Sequence, residues 1–129
     1  MLLPPKKISP DPHMVNYTRL QIEFEKELNA HDIFDSSSVT AAFELIANEL
    51  CTLPFTDSLI EIVPFQSIKF TLLFESGKMI MVSKSIEELE GQPSADIVVF
   101  SFFINRALIV SDVSEIKVLA KGLKEYLSR

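Results

Sequence analysis

The sequence predicts an α+β fold: an N-terminal helical hairpin, an antiparallel four- to five-stranded sheet of sequential hairpins, and a C-terminal helix packed on the sheet. Two observations predict it. Apolar residues recur every three or four positions over residues 14–30, 35–51 and 112–127, which is the period of an amphipathic helix. Between residues 59 and 110 the apolar pattern changes to alternation and short apolar runs, which indicates strands. Helices that flank consecutive hairpins give an α+β arrangement.

Two helices open the domain. The first, over residues 14–30, carries an apolar stripe of Tyr17, Leu20, Phe24 and Leu28. The second begins at the cluster Asp35-Ser36-Ser37-Ser38, whose side-chain oxygens can accept from the amides of a first helical turn, and runs to about Cys51. Its stripe consists of Val39, Ala42, Phe43, Ile46 and Leu50. Because the link is short, we expect the pair to form an αα-hairpin.

The first strands are predicted over residues 59–63, 67–75 and 79–86, with a three-residue loop at Glu75-Ser76-Gly77. We expect Gly77 to take the left-handed conformation there. The register that sets Leu72 opposite Ile80, and Phe70 opposite Val82, brings both apolar sets to one side of the sheet. A register shifted by one residue would mix the two faces and would set Lys69 opposite Lys84.

Residues 96–104 are almost continuously apolar, which predicts a central strand covered on both faces. Asn105-Arg106 is a plausible two-residue turn, and residues 107–110 then form the last strand. Asp112-Val-Ser-Glu115 has the pattern of a capping box, so the last helix should begin there. Its apolar stripe is Ile116, Leu119, Ala120, Leu123 and Leu127, with Lys117, Lys121 and Lys124 on the solvent side.

Composition indicates one domain over residues 13–129, preceded by a disordered proline-rich arm over residues 1–12 that holds four of the seven prolines. The formal charge of −6 disfavours binding to nucleic acid, and no dense basic patch offsets it. The single cysteine excludes an internal disulfide. No signal peptide is recognisable, and the longest apolar stretch is far below the roughly 20 residues of a membrane span. We therefore expect a cytoplasmic protein that binds neither nucleic acid nor a membrane.

No motif predicts catalytic chemistry, so we expect no catalytic residue, no metal site and no cofactor, and we incline against an enzyme. Cys51 lies near a predicted helix C-terminus, where the dipole opposes a thiolate, so burial is the simpler interpretation. His31 and Asp35 have a metal-like spacing but fall in a predicted loop. Glu61 interrupts an apolar run, which an edge strand with one face in water explains. The three isolated glycines exclude a phosphate-binding loop.

Two candidate binding surfaces remain. On the first hairpin, the face opposite the predicted core carries Leu73, Met79 and Met81, which would form an exposed apolar patch if the helices cover only one side of the sheet. The alternative is that helices cover both faces. The second candidate is the acidic connection with Glu87, Glu88 and Glu90, for which a solvated loop is the plainer explanation.

The chain resembles no family through any motif that can be transferred residue by residue. Our first hypothesis is a non-catalytic protein-interaction module of adaptor, immunity or chaperone type, which binds a protein partner or a second copy of itself. The alternative is a small-molecule binder or minor enzyme with an apolar pocket between sheet and helices, lined by Phe43, Phe70 and Phe100. A nucleic-acid binder, ranked last, would need its scattered cations to converge on one face: Lys69, Lys78, Lys84 and Arg106.

Overall fold

The computed structural model describes residues 12–31, 37–64, 66–86 and 97–128. Its elements are, in order, α1 (Pro12–Ala30), α2 (Ser37–Leu50), β1 (Asp57–Val63), β2 (Ser67–Leu73), β3 (Lys78–Ser85), β4 (Ile97–Ile104), β5 (Ala107–Glu115) and α3 (Ile116–Leu127). The five strands form one antiparallel sheet whose spatial order follows the chain, β1-β2-β3-β4-β5. The predicted α+β class and the sheet of sequential hairpins are confirmed.

The core lies between the three helices and one face of the sheet, called here the inner face. All five predicted stripe residues of α2 are buried, and so are Leu20 and Phe24 of α1. Stacked rings join the layers: the centroids of Phe24 and Phe43 are 4.2 Å apart, and those of Phe43 and Phe70 are 5.9 Å apart. This stack ties α1, α2 and β2 together through one aromatic column.

The predicted hairpin register between β2 and β3 is confirmed, with Leu72 opposite Ile80 and Phe70 opposite Val82. In the connecting turn (Glu75–Gly77), Gly77 has φ 75°, as expected, and Ser76 also adopts a positive φ of 68°. The turn between β4 and β5 meets this one, because the Asn105 N–H donates to the Gly77 carbonyl over 2.9 Å. A Cβ at Gly77 would displace the end of the Asn105 side chain, which can move, so the positive φ is the main reason for glycine there.

The predicted capping box at Asp112 is wrong, because β5 continues to Glu115 and α3 begins only at Ile116. Asp112 lies opposite Phe100 in the ladder, and its carboxylate accepts from the Val113 N–H over 2.7 Å. Glu115, at the N-cap, makes no side-chain capping hydrogen bond. Pairing with β4, which extends to Ile97 opposite Glu115, satisfies the backbone of this segment and displaces the helical turn.

The prediction that β4 is central and covered on both faces is also wrong. The central strand is β3, and β4 lies between β3 and β5. On the face away from the helices, Ile97 and Val99 are 42% and 48% exposed. A continuously apolar strand shows that the strand is interior to the sheet, but it does not show that both faces are covered.

The start of the first helix also differs from the prediction. Helix α1 begins at Pro12, inside the predicted arm of residues 1–12, where proline suits the first helical position. The rest of the arm and the connection over residues 87–96 lie outside the described residues. None of the helices in the described ranges is long and apolar enough to cross a membrane.

Replacing Gly122 with Ala is expected to raise the free energy of unfolding by up to about 1 kcal/mol, which is the difference in helix propensity. The sequence left open whether this glycine allows close packing. Apart from its chain neighbours and the backbone of α3 itself, no heavy atom of the described residues lies within 4 Å of the position that a Cβ would take, so packing does not require glycine. Urea unfolding measures the gain, and a loss of stability instead would show a contact that Gly122 protects.

Candidate functional site

The surface of the sheet opposite the helices, called here the outer face, is the candidate site. It carries most of the exposed large apolar side chains in the described part of the chain. They are Leu59, Val63, Leu73, Ile97, Val99, Leu108 and Val113. On β1, β2 and β4 they occupy the strand positions that alternate with buried core residues, as strand geometry requires. On β5, Leu108 and Val113 lie opposite Phe103 and Val99 of the same face. No described helix covers them, which decides between the two arrangements that the sequence left open.

Strand register places two of these side chains, Leu73 and Leu108, at the ends of a continuous apolar row that the half-buried Met79 and Phe103 complete. Leu73 lies opposite Met79, Met79 opposite Phe103, and Phe103 opposite Leu108, so the row crosses four strands. The two hairpin residues predicted from sequence, Leu73 and Met79, are therefore direct neighbours. The third predicted residue, Met81, lies in the next row between Thr71 and Ser101.

The hydroxyl-bearing residues beside the apolar row add polar contacts without charge. The Ser101 and Ser111 Oγ atoms are 3.1 Å apart, bridging β4 and β5 on the outer face. The charges on this face are peripheral and partly paired. The Lys69 Nζ lies 3.6 Å from a carboxylate oxygen of Glu61, and Asp57 and Glu115 stand on the two edge strands. An apolar centre within a polar rim is the usual anatomy of a protein–protein interface.

Both edges of the sheet are closed against further strand pairing. At β1, the Glu27 carboxylate of α1 accepts a hydrogen bond from the Ile62 N–H over 3.2 Å. At β5, the ladder with β4 is interrupted by a register shift after Phe102, and Asp112 adds a charge. Covered edges, bulges and charges are the devices by which proteins block edge-to-edge association. These features leave the outer face as the favoured contact surface of the sheet.

Sequence reasoning missed the β4 and β5 members of the outer face. Val99 and Phe103 were assigned to a strand covered on both sides. Val113 was assigned to a helix, because the Ser and Asp residues of β5 resemble a helix start more than a strand. Val113 is recognised as a strand residue only through its pairing with β4. The exposure of one side of β4 depends on where the helices pack, so no local signal would have found these positions.

The other candidate residues are accounted for by structural contacts. Cys51 is buried, as predicted, and its Sγ donates to the Asn48 carbonyl over 3.4 Å. Burial raises the pKa of the neighbouring Tyr17 hydroxyl, and electrostatic interaction with Glu44 and Cys51 raises it further. The His31 Nε2 lies 3.2 Å from the Glu27 carboxylate. Within the described ranges, no three His, Cys, Asp or Glu side chains group so as to hold a metal ion.

The phenylalanines expected to line a pocket belong to the core. Phe43 and Phe70 are 2% and 0% exposed and stack on each other, so they fill the space between sheet and helices. Phe100 is likewise buried. Glu61 lies on an edge strand with its side chain in water, as expected.

The four scattered cations do not share a surface. Lys69 lies on the outer face, whereas the Lys78 Nζ donates to the Leu127 carbonyl of α3. The Lys84 Nζ donates to the Ile97 carbonyl, and Arg106 lies in the β4–β5 turn. The acidic candidates lie outside the described residues: Glu87, Glu88 and Glu90.

Fold and site together define a small α+β protein with one open sheet face. Comparison of the chain with protein-family models, with curated proteins and with solved structures returns no match. The function must therefore be inferred from the outer face itself.

Proposed function

We propose that this protein is a non-catalytic interaction module, of adaptor, immunity or chaperone type, that binds a protein through the outer face of its sheet. One observation carries the proposal: the apolar row from Leu73 to Leu108 crosses four strands, and no described element covers it. Contiguous apolar surface of this kind marks contact sites on soluble domains.

The energetics favour a protein as the occupant. Each roughly half-exposed aliphatic side chain on the outer face would contribute about 1 kcal/mol if a partner removed its remaining surface from water. The face spans five strands, a breadth that suits another protein surface better than a small ligand. The two half-buried methionines, Met79 and Met81, supply flexible side chains that can adapt to a partner.

Thiol labelling of Val99→Cys tests the proposal. Val99 is 48% exposed on the outer face, and Val118 of α3, on the helix side, is 61% exposed, so Val118→Cys is a matched control. The native Cys51 is buried and contributes a slow background. Each purified variant is added at trace concentration to a native lysate of the source cells and treated with a maleimide, and its labelling rate is compared with that of the same variant, highly diluted, in buffer.

We expect the lysate to slow labelling of Val99→Cys roughly tenfold or more, because a bound partner excludes the reagent from the outer face, while Val118→Cys reacts at the same rate in both. The tenfold figure corresponds to about 1.4 kcal/mol of protection. If Val99→Cys is labelled as fast in lysate as in dilute buffer, and stays so when more of the variant is added to the lysate, an interface at the outer face is contradicted.

A further inference from the structure

We propose that the protein bound by the outer face is a second copy of this chain, packed sheet against sheet about a twofold axis. This inference rests on the proposed function and specifies its partner. Charge, the closed edges and the area of the face lead to it.

Charge at the outer face permits an identical partner. The chain carries a formal charge of −6, so two copies repel each other at most orientations. At the outer face, however, the Glu61 carboxylate is paired with Lys69, and the remaining carboxylates, Asp57 and Glu115, stand on the edge strands. Apart from Lys69, the strands between them present apolar and hydroxyl side chains on this face. A basic partner would gain little from this neutral centre, whereas an identical apolar centre matches it.

The edges determine how two copies can meet. Glu27 occupies an edge donor of β1, and the register shift and Asp112 interrupt β5, which disfavours joining the sheets edge to edge. Face-to-face packing of two antiparallel sheets, about 10 Å apart, remains available and buries alternate side chains of both sheets.

The area of the face is sufficient. Five strands spaced about 4.8 Å apart, with roughly 3.3 Å per residue along strands of this length, give a projected area of roughly 600 Å². Because side chains project from the sheet, the accessible area is larger than the projected area and approaches the roughly 800 Å² per partner of a standard stable interface.

A twofold axis parallel to the strands places the central strand β3 against its own copy and sets β1 of one copy over β5 of the other. Met79 and Met81 then meet the same residues across the axis, where their flexible thioethers can interdigitate. The carboxylates of β1, Asp57 and Glu61, face the other copy's β5 rather than one another. This arrangement keeps like charges apart at the rim of the interface.

Sedimentation equilibrium of the purified chain tests the inference. We expect a mass twice 14.6 kDa that falls to 14.6 kDa on dilution. Met81→Lys should weaken this association roughly 100-fold or more, because two ammonium groups would be buried together at the axis. Val118→Lys, which adds the same charge on the helix side, should leave it unchanged. If Met81→Lys does not fold by circular dichroism, Val113→Glu decides, with Val118→Glu as its control, since Val113 is 57% exposed on an edge strand and a carboxylate there would face the β1 carboxylates of the other copy.

A chain that sediments at 14.6 kDa at every concentration, or a Val118→Lys variant that dissociates as readily as Met81→Lys, overturns the second-copy inference. Labelling of Val99→Cys separates this failure from failure of the proposed function. Protection that develops in purified protein as its concentration rises supports the second copy. Protection found only in lysate overturns the second copy and retains an interface with a different protein. No protection under either condition overturns both.

Discussion

Replacing Phe43 with Ala is expected to lower the free energy of unfolding by about 3–5 kcal/mol, enough to leave a domain of ordinary stability partly unfolded. Phe43 is the middle ring of the column that joins α1, α2 and β2, and its side chain is buried. Truncation removes ring contacts with Phe24, Phe70 and Tyr17 at once. The cavity would lie between packed layers that cannot readily collapse.

Phe103→Ala is the matched control, because it deletes the same side chain from the half-buried outer face. Its expected cost is about 1 kcal/mol when both variants are unfolded in urea at a dilution where the chain is monomeric. Similar losses for the two variants would show that the outer face is packed as tightly as the core, which would contradict the description of an open face.

Replacing Lys78 with Met is expected to lower the free energy of unfolding by about 1.5–3 kcal/mol. Lys78 is 9% exposed at the start of β3, and its Nζ donates to the Leu127 carbonyl over 2.9 Å. That carbonyl lies in the last turn of α3, where helix geometry leaves acceptors without intrahelical partners. A positive group there also interacts favourably with the helix dipole. Methionine keeps most of the aliphatic stem but leaves the carbonyl without this donor.

Lys84→Met provides the comparison, because the Lys84 Nζ donates to the Ile97 carbonyl at a longer distance of 3.4 Å in an exposed position. We expect this change to cost about 0.5 kcal/mol or less. Hydrogen exchange should show faster opening of the last turn of α3 in Lys78→Met but not in Lys84→Met. Unchanged protection of that turn in Lys78→Met would show that the lysine does not hold α3 to the sheet.

The helices and the first hairpin could be predicted because their signals are local. The stripe that contains Phe43 repeats at helical spacing, and the cluster before it supplies a start signal, so α2 was predicted within a residue or two. The β2–β3 register was predictable because the three-residue loop restricts the alignment and a shift by one residue would mix the two faces. In both cases, residues that are near one another in the sequence are sufficient for the prediction.

Predictions at the second hairpin failed where a local signal competed with a distant one. Asp112 and Glu115 have the spacing of a capping box, yet the backbone around them pairs with β4. The β4 run is apolar at consecutive positions, which local reasoning interprets as coverage on both faces, although Val99 is half-exposed. Neither outcome could be decided without knowing which strand or helix lies alongside.

The sequence by itself determined the α+β class, the helix stripes, the first hairpin and the candidate pair Leu73 and Met79. Only the tertiary structure decided that the three helices pack on one side, that Phe103 and Leu108 extend this pair across the sheet, and that both sheet edges are closed. The physical reason is that periodicity records which side chains avoid water, whereas the surface that buries or exposes them is formed by residues far away in the chain. The extent of the candidate interface therefore depends on the tertiary structure and not on local periodicity.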